Sequence, residues 1–131
     1  MRIATKTALA LLLVVPAAAG CGRTPKDRLQ GRWLGETIEN VPAQHLTKAM
    51  GWVKGTALEF NGTKATVMIP AESPRTGTFR VTEAEGDRVT VSFLREEGGR
   101  DEAEFQFVGE GQLRWSVGDG RQIVLIKAAQ N

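Results

Sequence analysis

From Thr56 onward, apolar and polar residues alternate with a period of two, and turn signals interrupt the alternation at short intervals. Leu58 and Phe60 flank Glu59, and Ala65, Val67 and Ile69 alternate with Lys64, Thr66 and Met68. Phe79 and Val81 follow the same rhythm, as do Val89, Val91 and Phe93, then Ala103, Phe105 and Phe107, then Leu113, Trp115 and Val117. Successive side chains of a strand point to opposite faces, so each segment predicts a strand that buries one face and leaves the other to solvent. Asn61-Gly62, Glu85-Gly86-Asp87, Glu97-Gly98-Gly99-Arg100 and Gly118-Asp119-Gly120 supply the turns between them. Asn-Gly between alternating runs is the strongest short hairpin signal of the set. The last strand, Gln122 to Lys127, is apolar on both faces. A first strand, Arg32 to Glu39, carries Trp33 opposed by Leu34 and Ile38, which predicts that both of its faces are covered.

Between these strands lies one helix candidate, Ala43 to Met50, with Pro42 suited to its first position. Leu46 and Met50, flanked by Ala43 and Ala49, form its apolar face, and His45, the only histidine, is expected to project toward solvent. About eight short strands joined by hairpin-length turns predict an all-β domain, a single antiparallel up-and-down barrel or barrel-like meander with one short helix. A Greek key needs long crossovers, which this chain lacks after Leu58.

The first twenty residues break this pattern. Arg2 and Lys6 precede an unbroken apolar run from Ala8 to Val15, and the small residues Ala17-Ala18-Ala19-Gly20 lead to Cys21, the only cysteine. That anatomy predicts a secretory signal over 1–20, too short in its apolar run for a membrane-spanning helix. The order small, small, Gly, Cys resembles the lipobox of bacterial lipoproteins. The resemblance implies lipidation (diacylglycerol, then an acyl chain such as palmitate) on Cys21, and a bacterial cell-envelope location anchored to the membrane by that lipid. Gly22 after the cysteine implies sorting to the outer membrane. Residues 21–28, polar and containing Pro25, read as a lipidated tether, and 29–131 as the folded domain.

Composition changes with that reading. Losing Arg2 and Lys6 lowers Lys+Arg from 17 to 15 against 15 Asp+Glu, so the side-chain balance falls from +2 to zero. Near-neutrality with interspersed charge gives no electrostatic footprint for nucleic acid. One cysteine allows no internal disulfide, so the domain rests on packing.

Leu29-Gln30-Gly31-Arg32-Trp33 places a glycine-x-tryptophan at the head of the first strand. With the apolar-x-Phe strand that ends in Asn61-Gly62, the Gly77-Thr78-Phe79 strand and the closing aliphatic strand, it resembles small bacterial lipocalin-like lipoproteins. The resemblance implies a barrel closed at one end by Trp33. It leaves function open, because that family is functionally mixed.

The chemistry narrows by elimination. A lone histidine and a cysteine assigned to the lipid exclude a histidine-dependent nucleophilic triad. Glu102 and Glu104 share the polar face opposite Phe105 and Phe107, which reads as a solvated surface and not as facing catalytic carboxylates. Glu96-Glu97 and Asp101-Glu102 lack the spacing of a calcium loop, and Gly98-Gly99 reads as a turn. No enzyme, cofactor or metal is expected. Two non-catalytic roles remain: a tethered binding or structural module for an envelope protein partner, and a carrier of a small apolar ligand or lipid. Trp33, Phe60, Phe79, Phe93, Phe107 and Trp115 are the candidate ligand lining. Six inward aromatics in an eight-stranded barrel are expected to fill it, leaving no cavity on the roughly 300 Å³ scale of a ligand pocket. No inward charge is expected to orient a polar head, and Met50, Trp52 and Met68 are candidates for an apolar rim patch.

Overall fold

A computed structural model describes residues 23–129. The signal and Cys21 lie outside the described residues. The chain forms a closed barrel in which eight antiparallel strands pair in sequence order, the last with the first. This is the up-and-down barrel expected from the alternation. The strands are β1 (Gly31–Glu39), β2 (Ala57–Asn61), β3 (Lys64–Met68), β4 (Arg75–Glu85), β5 (Arg88–Arg95), β6 (Arg100–Val108), β7 (Gln112–Gly118) and β8 (Arg121–Lys127). Closure leaves no sheet edge free to pair with another chain.

Two helices accompany the barrel where one was expected. The first, α1 (Pro25–Leu29), takes in the last four residues assigned to the tether and Leu29, the first of the folded domain. Thr24 caps it by accepting from the Asp27 backbone N–H, and the Asp27 side chain bonds back to the Thr24 N–H, a capping box with Pro25 in the first turn. The second, α2 (Ala43–Lys54), runs four residues past the expected end. Its buried residue is Val53, whereas Leu46, expected on the apolar face, is 41% exposed. Gly35 explains how α2 docks: a Cβ there would lie 2.1 Å from the Val53 carbonyl oxygen, so only glycine permits this approach of helix to strand.

Two local details differ from the pattern. In β1 the pairing with β8 shifts between Gly35 and Thr37, so Gly35 faces Leu125 and Ile38 faces Ile123 on the same inner side. A bulge of this kind reverses side-chain parity. Ile38 therefore joins Trp33 inside, while Leu34 stays outside and 41% exposed, so the expectation of two covered faces on β1 is corrected. In the first hairpin Asn61 pairs with Lys64, leaving Gly62-Thr63 as the two-residue turn, with Gly62 at φ 65°. A turn with glycine in its first central position replaces the Asn-Gly turn expected one residue earlier.

The core runs down the lumen. Trp33, Leu58, Phe60, Phe79, Val89, Val91, Phe105, Phe107, Leu113, Ile123 and Leu125 are all buried in one cluster. Phe60 is its hub, edge-on to Phe79 at 4.9 Å between ring centroids and to Phe105 at 6.2 Å, geometries that place ring edges on ring faces.

Candidate binding site at the open end of the barrel

One end of the barrel is sealed. Leu29 of α1 is fully buried beneath it, and its carbonyl accepts the indole N–H of Trp33 at 2.8 Å, satisfying the one polar atom of that buried ring. Gln30 exchanges two hydrogen bonds with the backbone of Gly62 in the β2–β3 turn, at 2.7 and 3.0 Å. Arg28 pairs with Asp87 of the β4–β5 turn at 3.3 Å and lies over the Phe107 ring at 4.0 Å from its centroid. Lys127 stands over the Trp33 ring. Trp33 thus closes one end, the place the resemblance implied for it, and α1 is a lid that the sequence pattern did not predict.

The opposite end is open in part. A cavity of about 190 Å³ is bounded by Leu58, Ala65, Val67, Phe93, Phe105 and Trp115, with Gly77 and Ala103 also in its wall. The cause is residue size. Trp33, Phe60, Phe79 and Phe107 fill the lumen where they point inward, whereas the cavity wall carries Ala65, Gly77 and Ala103. Gly77 cannot be larger, because a Cβ there would lie 2.2 Å from the Leu94 carbonyl oxygen. Phe105 and Trp115, 6.0 Å apart and tilted by 36°, form the floor of the cup.

The six candidate lining residues divide accordingly. Trp33, Phe60, Phe79 and Phe107 are buried filler, and only Phe93 and Trp115 line the cavity. The expectation of a filled lumen holds for the sealed half, and the cup is smaller than the roughly 300 Å³ of an ordinary ligand pocket.

Charge at the mouth overturns the expectation of a purely apolar interior. Cross-strand pairing sets Arg75 opposite Val67, Arg95 opposite Gly77 and Asp101 opposite Phe93, all on the inward face. Arg75, Arg95 and Asp101 all border the cavity. Arg95 Nε lies 3.0 Å from Asp101 Oδ2, yet its N–H is not aimed at that oxygen, and no hydrogen-bond partner satisfies it. Glu97 stands 3.9 Å from the same guanidinium, beyond hydrogen-bond range. Arg75 donates to Glu72 of the β3–β4 loop at 2.9 Å.

A second depression, a groove of about 490 Å³, runs between α2 and the ends of β1 and β7, lined by Ile38, Val41, His45, Ala49, Trp52 and Val117. His45 is exposed there, as expected, and Trp52 is 39% exposed. Of the proposed rim patch, Met50 faces Thr37, whose hydroxyl lies 3.4 Å from the sulfur, and Met68 is half-buried at the end of β3 opposite Ala57, so the three residues do not form one patch. Glu102 and Glu104 are exposed on the outer face of β6. Among the described residues no three His, Cys, Asp or Glu side chains gather as a metal site, and no helix is long and apolar enough to cross a membrane.

No protein-family model, no curated protein and no solved structure matches the chain.

Proposed function

We propose that this chain is a non-catalytic binding module of the bacterial cell envelope, tethered by a lipid on Cys21, whose site is the cup at the open end of the barrel. The observation that carries the reading is the apolar cavity itself, walled by Phe93, Phe105 and Trp115 and kept open by small residues beside a cluster of buried aromatic rings. A cavity of about 150 Å³ lined by aliphatic and aromatic side chains is known to admit benzene. At about 190 Å³ the cup suits one ring or one short alkyl chain, and it is too small to enclose a whole lipid. The carrier role is thereby narrowed to small ligands. A second reading, a protein partner seated on α2, is supported by Trp52 in the groove wall and Leu46 on the same helix, 39% and 41% exposed.

Titration with toluene, followed through backbone amide and indole NMR signals, tests the first reading. Saturable shifts centred on Ala65, Ala103 and Trp115 are expected. Absence of any saturable shift at those residues removes the cup as a binding site and leaves the α2 groove as the surface to probe.

A further inference from the structure

We propose that the ligand of the cup is a small amphiphile with an anionic carboxylate head, its single short apolar chain buried on Trp115 and its head held by Arg75 and Arg95 at the mouth. The inference rests on the cup being the binding site and adds the chemistry of what enters it. The inward positions at the rim carry two guanidinium groups against one carboxylate, Asp101. Glu97, 3.9 Å from Arg95, and Glu72, which accepts from Arg75, belong to the turn and loop outside the strands. The pair of Arg75 with Glu72 is about half exposed on both sides, with relative side-chain exposures of 54% and 46%, and exposed pairs of this kind hold their partners weakly. Arg75 is therefore free to turn toward a competing anion.

Arg95 is the better fixed of the two. Its backbone N–H donates to the Gly99 carbonyl at 3.0 Å, and the Gly99 backbone packs so close to the guanidinium that a Cβ there would lie 2.7 Å from Nη2. The group is thus oriented by the β5–β6 turn while its Nε–H has no aligned acceptor. A guanidinium is a planar fork of donors whose geometry matches a carboxylate, and one held in place loses little freedom when an anion docks. Directly below it the wall becomes wholly apolar through Phe93, Ala103 and Trp115. A charged rim over an apolar floor selects a molecule with the same division. The volume limits the apolar part to about one ring or a chain of five or six carbons.

Hexanoate, hexanol and hexylamine have six carbons each and differ in the head, with one methylene fewer to bury in hexanoate, so NMR titration of the folded domain with each separates the two levels of the proposal. Burial of the alkyl chain alone gives hexanol a Kd on the order of a millimolar. One charge-assisted contact makes hexanoate about tenfold tighter than hexanol and leaves hexylamine no tighter than hexanol. Arg75→Gln, a change at an exposed side chain, should remove most of that advantage without altering hexanol binding, and Arg95→Gln should do the same where thermal unfolding shows the domain intact. Equal affinity for hexanoate and hexanol, or tighter binding of hexylamine, overturns the carboxylate head while leaving the cup as an apolar site. Binding of none of the three overturns the cup itself.

Discussion

At the sealed end the guanidinium of Arg28 lies over Phe107, 4.0 Å from the ring centroid; at the open end that of Arg95 stands among carboxylates, with Asp101 at 3.0 Å and Glu97 at 3.9 Å. The same side chain does two different things because the rows beneath differ. Large rings fill the sealed half to the rim, so a cation there has an aromatic face to cover, as Lys127 also does over Trp33. Around the cavity Ala65, Gly77 and Ala103 stop short of filling the lumen, and the cations at the open rim border that space. The comparison teaches that the cavity is set less by the aromatics than by the small residues between them. It also separates stability from function: changes in the sealed half should unfold the protein, and changes in the open half should alter what it holds.

The largest effect is expected at Trp33, which is 1% exposed and anchored to α1 through its indole N–H. Trp33→Ala should cost about 3–5 kcal/mol, a large share of the stability of a domain of this size, measured by chemical unfolding. A loss below about 1 kcal/mol would mean that the sealed half does not carry the fold. Gly35→Ala comes next. Its added methyl meets the Val53 carbonyl at 2.1 Å, so α2 must shift, at about 1–3 kcal/mol, with faster hydrogen exchange in α2 than in β5 or β6. Uniform exchange across α2 and the barrel would show that helix and barrel open as one unit.

Ala103→Phe sharpens the comparison from the other side. The residue is buried in the cavity wall, and a benzyl group fits within about 190 Å³ of space. Stability should rise by about 0.5–1 kcal/mol, as cavity filling commonly does, while toluene and hexanoate binding disappear. Retained binding would place the ligand elsewhere, with the α2 groove as the first alternative.

Much of this asymmetry was legible in the chain, and its gaps have physical reasons. Alternation from Leu58 to Val117 predicted the strands and their inner faces, because a barrel strand with one solvated face must repeat every two residues. The charged mouth was legible by the same rule carried one step further. Arg95 is two residues past Phe93, Asp101 two before Ala103, and Arg75 two before Gly77. Parity persists after hydrophobicity ends, so a reading that stops at the last apolar residue misses a polar rim. The lid α1 has only five residues and no room for a helical repeat, but Thr24-Pro25-Lys26-Asp27 carries a capping box that announces it. Ile38 was misplaced because a bulge breaks parity, and the sequence marks this one only by Gly35 inside the strand. The cup itself depends on Ala65, Gly77 and Ala103, whose small size counts only once the closed barrel brings them into one cavity wall with Phe105 and Trp115.

The smallest effect on stability, and the one that decides how the two ends are used, belongs to Cys21. Cys21→Ser should leave the unfolding midpoint unchanged within about 0.5 kcal/mol, because α1 is held by its own cap, by Trp33 and by Asp87 without any lipid. It should nevertheless move the protein from the membrane to the soluble envelope fraction. Identical partitioning of the two forms would remove the lipid anchor from the proposed function. Arg23, two residues after Cys21, borders Arg28, Phe107 and Lys127 at the sealed end, so a lipid on Cys21 points that end toward the bilayer and the mouth away from it. Fluorophores on single cysteines introduced at Glu110 beside Arg23 and at Glu97 beside the mouth measure this in vesicles carrying a lipid-phase quencher. Stronger quenching at Glu110 is expected. Stronger quenching at Glu97 would turn the cup toward the lipid, and a short chain would then reach it from the membrane side.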